Sequence, residues 1–242
     1  MKHITRYIPN TLTCISLAFG FYAAVLGLSG NYYGAMIAIF VAAVFDFSDG
    51  LAARLLKAYS PMGKELDSLA DMVSFGVAPG MMLYGFLDKL LHSLSWNDSL
   101  PCKLFLLSAF AIPVLSGLRL AKFNIDDRQK TSFVGLPVPA HAILWSSLVT
   151  AFSPAVVHTN LSHEALLIGF SIAAVATSLL LVSEIPMFSL KISSFAWKEN
   201  KRQYILLLSA ILLITFWGIP GISATILIYI LLSVASCRKS PK

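Results

Sequence analysis

The chain has 242 residues, of which 57% are hydrophobic and only 12% are charged. Soluble domains average about 45–50% apolar and about 25% charged residues, so this composition excludes both a soluble globular protein and a disordered one. The 18 Lys and Arg exceed the 12 Asp and Glu, giving a net charge of +6. In a membrane protein such an excess orients the chain and contacts anionic head groups, so we expect a lipid bilayer and no nucleic acid as partner.

Eight stretches are apolar enough for membrane-spanning helices, each of which needs about 20 such residues. In chain order they cover approximately 10–29, 33–57, 63–88, 102–122, 136–156, 163–183, 201–217 and 219–236. The short Gly218–Gly221 turn between the last two predicts a tight helical hairpin. Because no linker or repeat divides the sequence, we expect an all-α, polytopic helical bundle in which residues 1–242 form one membrane-embedded domain.

The distribution of cations predicts the orientation of the eight spans. Of the 18 Lys and Arg, 16 fall on the side that carries both termini, and only Lys89 and Lys103 fall on the other. Positive loops stay in the cytoplasm. We therefore expect both termini on the cytoplasmic side of the cytoplasmic membrane.

Four carboxylates lie within or at the ends of spans two and three, namely Asp46, Asp49, Asp67 and Asp71. A charge facing lipid costs about 2.5–3.5 kcal/mol on insertion scales, so these side chains must share an interior or water-filled cavity. The spacings i,i+3 and i,i+4 place each pair on one helical face. In an antiparallel hairpin turning near 59–61, Asp46 should lie at the depth of Asp71, and Asp49 at the depth of Asp67.

Four converging carboxylates need cations. An oxygen-only ligand set favours Mg²⁺, Ca²⁺ or Mn²⁺, and it suits the two-metal arrangement used in phosphoryl transfer. The alternative is a structural ion-pair network with Arg54, Lys57 and Lys64. A cation transporter is a further alternative, since carboxylates in membranes also mark ion pathways. It predicts acidic residues spread across the bilayer, whereas these gather on one side.

Small residues accompany the carboxylates at Gly50, Ala53 and Gly63, where they would let a bulky ligand approach the backbone. Close helix packing is the alternative explanation. Arg54 is placed to hold a phosphate, or it serves only as an orienting surface charge.

The acidic and small residues follow one pattern along the chain, which reads Asp46-x-x-Asp49-Gly50-x-x-Ala53-Arg54, then eight residues, then Gly63-x-x-x-Asp67-x-x-x-Asp71. This pattern resembles the signature of the CDP-alcohol phosphatidyltransferase family. Three further stretches resemble its phosphatidylserine synthase branch. They are Ile8–Asn10, Asp71–Pro79, and Arg119–Asn124 followed by Gly135–Ala140. The resemblance implies a core of six spans, with residues 201–236 as an addition, and a homodimer.

The resemblance also implies transfer of the phosphatidyl group from CDP-diacylglycerol to L-serine. Two divalent ions, Mg²⁺ or Mn²⁺, would be held by the four aspartates, with Asp71 as the general base. Contacts to the CDP-lipid would come from the residues Asn10, Asp49, Gly50, Ala53, Arg54, Ser60, Gly63 and Asp67. Asn10 has an alternative role as the N-cap of span one, and Ser60 as a turn residue.

The acceptor alcohol is not named by the signature. Arg119, Lys122 and Asn124 lie at the cytoplasmic end of span four, where a cation could bind the carboxylate of serine. Positive-inside anchoring explains these cations equally well. Glycerol 3-phosphate or inositol (phosphate) would also attract cations, so these acceptors remain alternatives.

Overall fold

The computed structural model describes residues 7–94, 100–125, 133–153, 162–188 and 200–237. The α-helices within these ranges are α1 (Tyr7–Ser29), α2 (Tyr32–Leu55), α3 (Pro61–Asp71), α4 (Ala78–Ser93), α5 (Leu100–Leu107), α6 (Ala111–Ile125), α7 (Val138–Phe152), α8 (His163–Val182), α9 (Lys201–Trp217) and α10 (Ile219–Cys237). A π-helical segment, Met72–Val77, joins α3 to α4, and a 3₁₀ segment, Ser108–Phe110, joins α5 to α6. The fold is therefore a helical membrane bundle, as predicted.

Each predicted span corresponds to a helix or to a continuous pair of helices. Five are long and apolar enough to cross a membrane, namely Tyr7–Ser29, Tyr32–Leu55, Pro61–Ser93, Lys103–Ile125 and His163–Val182. The fifth, seventh and eighth predicted spans are carried by shorter stretches, with Val138–Phe152 and Ile219–Ala235 as shorter apolar helices and α9 at 17 residues. The predicted tight hairpin is present, because Gly218, with φ +64°, is the single residue between α9 and α10.

Much of the predicted orientation rests on cations outside the described residues. These are Lys2, Arg6, Arg128, Lys130, Lys191, Lys198, Arg238, Lys239 and Lys242. The orientation of the bundle therefore remains a prediction.

The turn between α2 and α3 contains residues that end the first helix and begin the second. Lys57 adopts the left-handed conformation (φ +49°), and the Ala58 N–H returns to the Ala53 carbonyl at 2.9 Å. Ser60 then caps α3, its hydroxyl accepting the Gly63 N–H at 2.9 Å, and Pro61 occupies the first helical position. These signals place the turn where the sequence predicts it and bring the two acidic helices side by side.

The centre of the bundle is formed by the π segment, α4 and α7. Phe75, Met82, Leu83 and Trp145 are completely buried there. Many large apolar side chains on α1, α2, α8 and α9 are exposed instead. In a bilayer such side chains contact acyl chains, which are as apolar as the helix surface itself.

A small β-pairing was not predicted. Strands β1 (Phe133–Val134) and β2 (Pro186–Met187) pair antiparallel. Gly135 follows with φ +78°, and its N–H donates to the Ile185 carbonyl at 2.9 Å. The chain entering α7 is thereby attached to the chain leaving α8. The last helix, α10, packs along α7 and against β2.

Candidate active site

The acidic cluster forms where α2 and α3 lie antiparallel. Carboxylate oxygens of Asp46, Asp49 and Asp67 all lie within 4.8 Å of one another. Asp46 is also within hydrogen-bonding reach of Asp71, the last residue of α3. The structure thus brings three of the four predicted carboxylates into one group and places the fourth beside it. Asp46 meets Asp71 as the hairpin geometry predicts.

The π-helical segment begins directly after Asp71. The hydrogen bonding of a π-helix, from each N–H to the carbonyl five residues earlier, is seen at its end, where the Ala78 N–H donates to the Val73 carbonyl. Such segments occur frequently at functional sites. The Ser74 hydroxyl within it donates to the Ser16 carbonyl of α1 at 3.1 Å. This contact fixes the helix against α1 one turn beyond Asp71.

Helix α1 supplies a hydrogen-bond partner for one of the four aspartates, which the sequence analysis did not predict. The Thr13 hydroxyl donates to Asp49 Oδ2 at 2.5 Å, and both side chains are buried. Ser16, one turn further, donates to the Ala42 carbonyl at 2.9 Å and fixes α1 on α2. The sequence carried one signal for Thr13 as a site residue: it follows the predicted site residue Asn10 by three positions, so the two lie on the same helical face.

A cleft of about 210 Å³ opens beside the cluster at the end of the bundle formed by α1, α2 and α3. Its lining consists of Pro9, Asn10, Thr13, Asp49, Gly50, Ala53, Ala58, Tyr59, Ser60, Gly63, Lys64 and Asp67. Seven of the eight residues predicted to contact the CDP-lipid are among them. The exception, Arg54, is exposed at the margin, where its Nε donates to the Gly50 carbonyl at 3.0 Å. Lys64 lines the cleft but was not predicted.

Asn10 does not cap α1. The helix begins at Tyr7, so the N-cap alternative is wrong and the side chain is free to face α3. Ser60 has the turn role foreseen for it and also lines the cleft.

The two glycines of the motif differ in their surroundings. A Cβ at Gly63 would lie 3.0 Å from both Asn10 Oδ1 and Ser60 Oγ, which is closer than side chains normally approach. A Cβ at Gly50 would meet only the Arg54 guanidinium, at 3.8 Å. Gly63 therefore permits close contact between α1 and α3, whereas Gly50 leaves space in the cleft itself.

The three residues predicted to bind serine occupy different positions. Arg119 is buried, at 8% exposure, and interacts electrostatically with Asp71. Lys122 forms a partly exposed ion pair with Glu184 at 3.8 Å. The Asn124 side-chain amide donates to the Ser68 hydroxyl at 2.9 Å, and the Asn124 main-chain carbonyl accepts from Lys64 Nζ at 3.3 Å. Of the three, only Arg119 interacts electrostatically with a residue of the acidic cluster, and it forms no salt bridge with it.

The ion-pair alternative for the cluster is wrong. Within the described ranges, none of the four aspartates forms a salt bridge with Arg54, Lys57 or Lys64. Asp71 Oδ1 is buried and has no hydrogen-bond partner among the described residues. A buried carboxylate oxygen without a partner is costly, and a bound cation would supply one. The oxygen-only cluster therefore fits a hard divalent metal.

The bundle and its acidic cleft define an integral membrane protein with a candidate metal-dependent site at one end of its helices. A sequence model of the CDP-alcohol phosphatidyltransferase family matches residues 6–236. The chain belongs to this family.

Named relatives agree with one another about the acceptor. The CDP-diacylglycerol–serine O-phosphatidyltransferase of Bacillus subtilis is 36% identical over 149 residues, which cover 62% of this chain and 78% of that protein. The archaetidylserine synthase of Methanothermobacter thermautotrophicus is 29% identical over 182 residues, covering 73% and 71%. The Mycobacterium leprae protein, which is also named a CDP-diacylglycerol–serine O-phosphatidyltransferase, is 35% identical over 145 residues. The match covers 57% of this chain but only 45% of that longer relative.

Proposed function

We propose that the chain transfers the phosphatidyl group of CDP-diacylglycerol to the hydroxyl of L-serine, giving phosphatidylserine and CMP. The observation that carries this proposal is the cluster of carboxylate oxygens within 4.8 Å at the wall of the cleft. The family assignment and the names of the relatives support the substrates.

In the proposed reaction, the CDP head group occupies the cleft lined by Gly50, Ala53 and Gly63. Asn10 and Ser60 provide polar contacts from α1 and from the start of α3. Lys64 at the wall and Arg54 at the margin supply positive charge for the diphosphate. The acyl chains remain in the bilayer beside the exposed apolar faces of the helices.

Asp46, Asp49 and Asp67 would hold divalent ions, with Asp71 completing the site beside Asp46. When bound, such ions would neutralise the charge of the diphosphate and the charge that develops on the departing CMP. Thr13 fixes the Asp49 carboxylate through its 2.5 Å hydrogen bond, so that the oxygens stay preorganised. Two ions, and Mg²⁺ or Mn²⁺ as their identity, are part of this proposal.

Asp71 accepts the proton of the serine hydroxyl in the proposed mechanism. The serine oxygen then attacks the lipid-linked phosphorus, and the bond from this phosphorus to CMP breaks. Arg119, which is buried and interacts electrostatically with Asp71, binds the serine carboxylate. Lys122 and Asn124 support the same end of α6 through Glu184 and Ser68 rather than by direct contact.

The proposed orientation places the cleft and both termini on the cytoplasmic side of the cytoplasmic membrane. The cations Arg54, Lys57 and Lys64 beside the cleft support this orientation. A homodimer is a prediction from the family resemblance alone.

The proposal is tested by CMP release from CDP-diacylglycerol by the purified protein with Mn²⁺ or Mg²⁺ and one acceptor at a time. We expect release with L-serine that stops on addition of EDTA. Release with glycerol 3-phosphate or inositol instead would contradict the choice of acceptor but keep the chemistry. Cation flux in proteoliposomes without CMP release would favour a transporter.

The two glycines of the cleft provide a second prediction. In Gly50→Ala the new methyl group enters open cleft, so the KM for CDP-diacylglycerol should rise about tenfold while the melting temperature stays unchanged. In Gly63→Ala the methyl group crowds Asn10 and Ser60, so the melting temperature should fall as well. Steady-state kinetics and thermal denaturation in detergent measure both effects. Equal loss of stability in the two variants would show that Gly50 serves helix packing.

A further inference from the structure

Three hydrogen bonds form a closed ring between one turn of α3 and the last turn of α6. The Lys64 ammonium donates to the main-chain carbonyl of Asn124 at 3.3 Å. The Asn124 side-chain amide donates to the Ser68 hydroxyl at 2.9 Å, and this hydroxyl donates to the Lys64 carbonyl at 3.2 Å. We call Lys64, Ser68 and Asn124 together the bridge, because they connect parts of the chain that lie 56 and 60 residues apart.

The end of α6 offers Lys64 an acceptor that a helix does not use itself. Asn124 is the last residue but one of α6 (Ala111–Ile125), so its carbonyl is among the four that an α-helix leaves without a partner. These carbonyls carry the negative end of the helix dipole and attract cations. The Ser68 hydroxyl gives its proton to the Lys64 carbonyl, so its lone pairs remain to accept the Asn124 amide. Ser68 therefore fixes the place of the carbonyl that holds the ammonium.

Lys64 is the one cation among the described residues that line the cleft. The same lining carries the carboxylates of Asp49 and Asp67. Asp67 follows Lys64 by three positions, a spacing at which opposite charges on a helix commonly pair. Within the described ranges this salt bridge is absent, and the ammonium bonds to α6 instead. The bridge thus keeps the cation off the carboxylates that would hold the metal ions.

A lysine held in this way is prepared for an anionic ligand. Lysine side chains are flexible, and ordering one when a ligand binds costs conformational entropy. The bond to Asn124 orders the Lys64 side chain beforehand. An ammonium has three N–H donors, so two of them remain for a ligand in the cleft.

We propose that Ser68 and Asn124 are positioning residues for Lys64, holding its ammonium at the wall of the cleft so that its two remaining N–H groups bind the diphosphate. Asn124 then acts on the CDP-lipid and not on serine, the role that the sequence predicts for it. This inference rests on the proposed function in one respect, namely that the cleft receives the diphosphate of a CDP-lipid.

The test is the variant Ser68→Ala, which removes one hydroxyl of the bridge and leaves Lys64 in place. We expect the Kd for CDP in the presence of Mn²⁺ to rise about threefold to tenfold, the range typical of one hydrogen bond. The KM for CDP-diacylglycerol should rise by a similar factor, whereas the KM for serine should stay within about twofold of the wild-type value. Asn124→Ala should give the same result. Isothermal titration calorimetry on the purified full chain measures the Kd.

Ser209→Ala is the matched control for Ser68→Ala. Ser209 of α9 is also partly buried, and its hydroxyl donates to the Leu206 carbonyl of its own helix at 2.8 Å. This variant should alter neither constant. Ser68→Thr keeps a hydroxyl at the bridge and should retain the wild-type Kd for CDP. A Kd raised equally in Ser68→Thr and Ser68→Ala would show that the hydroxyl is not the group that matters.

A double-mutant cycle with Lys64→Gln separates positioning from general stabilisation. If Ser68 acts through Lys64, then Ser68→Ala should add less than about twofold to the Kd for CDP in the Lys64→Gln protein, because the ammonium it positions is gone. Additive effects would overturn the proposal. So would a lower melting temperature with both KM values raised together, which indicates a structural role only. Asn124→Ala with only the serine KM raised would return Asn124 to the acceptor site and overturn the proposal as well.

Failure of the proposed function gives a different result from failure of this inference. If the wild type binds CDP but releases no CMP with serine, the proposed acceptor is wrong, and the Kd comparison still tests the bridge. If the wild type is active with serine and Ser68→Ala binds CDP normally, only this inference fails. If the wild type binds neither CDP nor CDP-diacylglycerol, both fail.

Discussion

Asp71→Asn is expected to reduce serine-dependent CMP release by about 10²- to 10⁴-fold, the range typical for loss of a general base. The amide keeps the size of the side chain but cannot accept the serine proton. Because the three oxygens within 4.8 Å come from Asp46, Asp49 and Asp67, the variant should still bind divalent metal, although more weakly than the wild type because Asp71 completes the site. Activity assays combined with Mn²⁺ titration by electron paramagnetic resonance measure the two properties separately.

The matched control for Asp71→Asn is Glu65→Gln. Glu65 lies on α3 as well, is exposed and does not line the cleft. It should retain wild-type activity, which excludes an effect of net charge. Asp71→Asn with near-normal turnover would remove Asp71 from the proton transfer and indicate that the serine hydroxyl loses its proton to water.

The sequence predicts the acidic site well because two local rules determine it. Helical spacing places Asp46 with Asp49, and Asp67 with Asp71, on single faces. The short turn fixed by Ser60 and Pro61 then sets the antiparallel register between α2 and α3. Neither rule depends on distant parts of the chain. The predicted meeting of Asp46 with Asp71 therefore agrees with the structure.

Contacts between distant elements were not predicted. Thr13 reaches Asp49 across 36 residues of sequence, and Tyr229 reaches Phe188 across 41. No periodicity within one helix reveals such partners, because they depend on how whole helices pack. The β1–β2 pair was also missed, since its two-residue strands carry no alternating pattern. Asn10 was assigned an N-cap alternative because the start of α1 was placed three residues too late.

The acidic cluster should destabilise the bundle when no cation is bound. Two unit charges 4.8 Å apart repel by about 3.5 kcal/mol at an effective dielectric constant near 20, and Asp46 faces three carboxylate neighbours. No Lys or Arg in the described part of the chain forms a salt bridge with any of the four aspartates. Such a cluster is retained against a cost in stability, which is typical of functional sites. The cost can be measured directly.

Asp46→Asn should therefore raise the melting temperature of the EDTA-treated protein and at the same time abolish its activity. Removing one repulsive charge stabilises the metal-free bundle, and a gain of 1 kcal/mol corresponds to about 2–4 °C for a chain of this size.

In the wild type, Mn²⁺ at 100 times its Kd should stabilise the folded protein by about 2.7 kcal/mol. This metal-induced shift should be lost or much reduced in Asp46→Asn but retained in Glu65→Gln. Thermal denaturation in detergent, with Mn²⁺ and with EDTA, measures the melting temperature of all three proteins. If Asp46→Asn instead lowers the melting temperature without metal, the carboxylates stabilise the bundle by hydrogen bonds among themselves, and the cluster would be a structural network. The opposite result, a more stable and inactive protein, would show that the four aspartates are held together for the ions they bind.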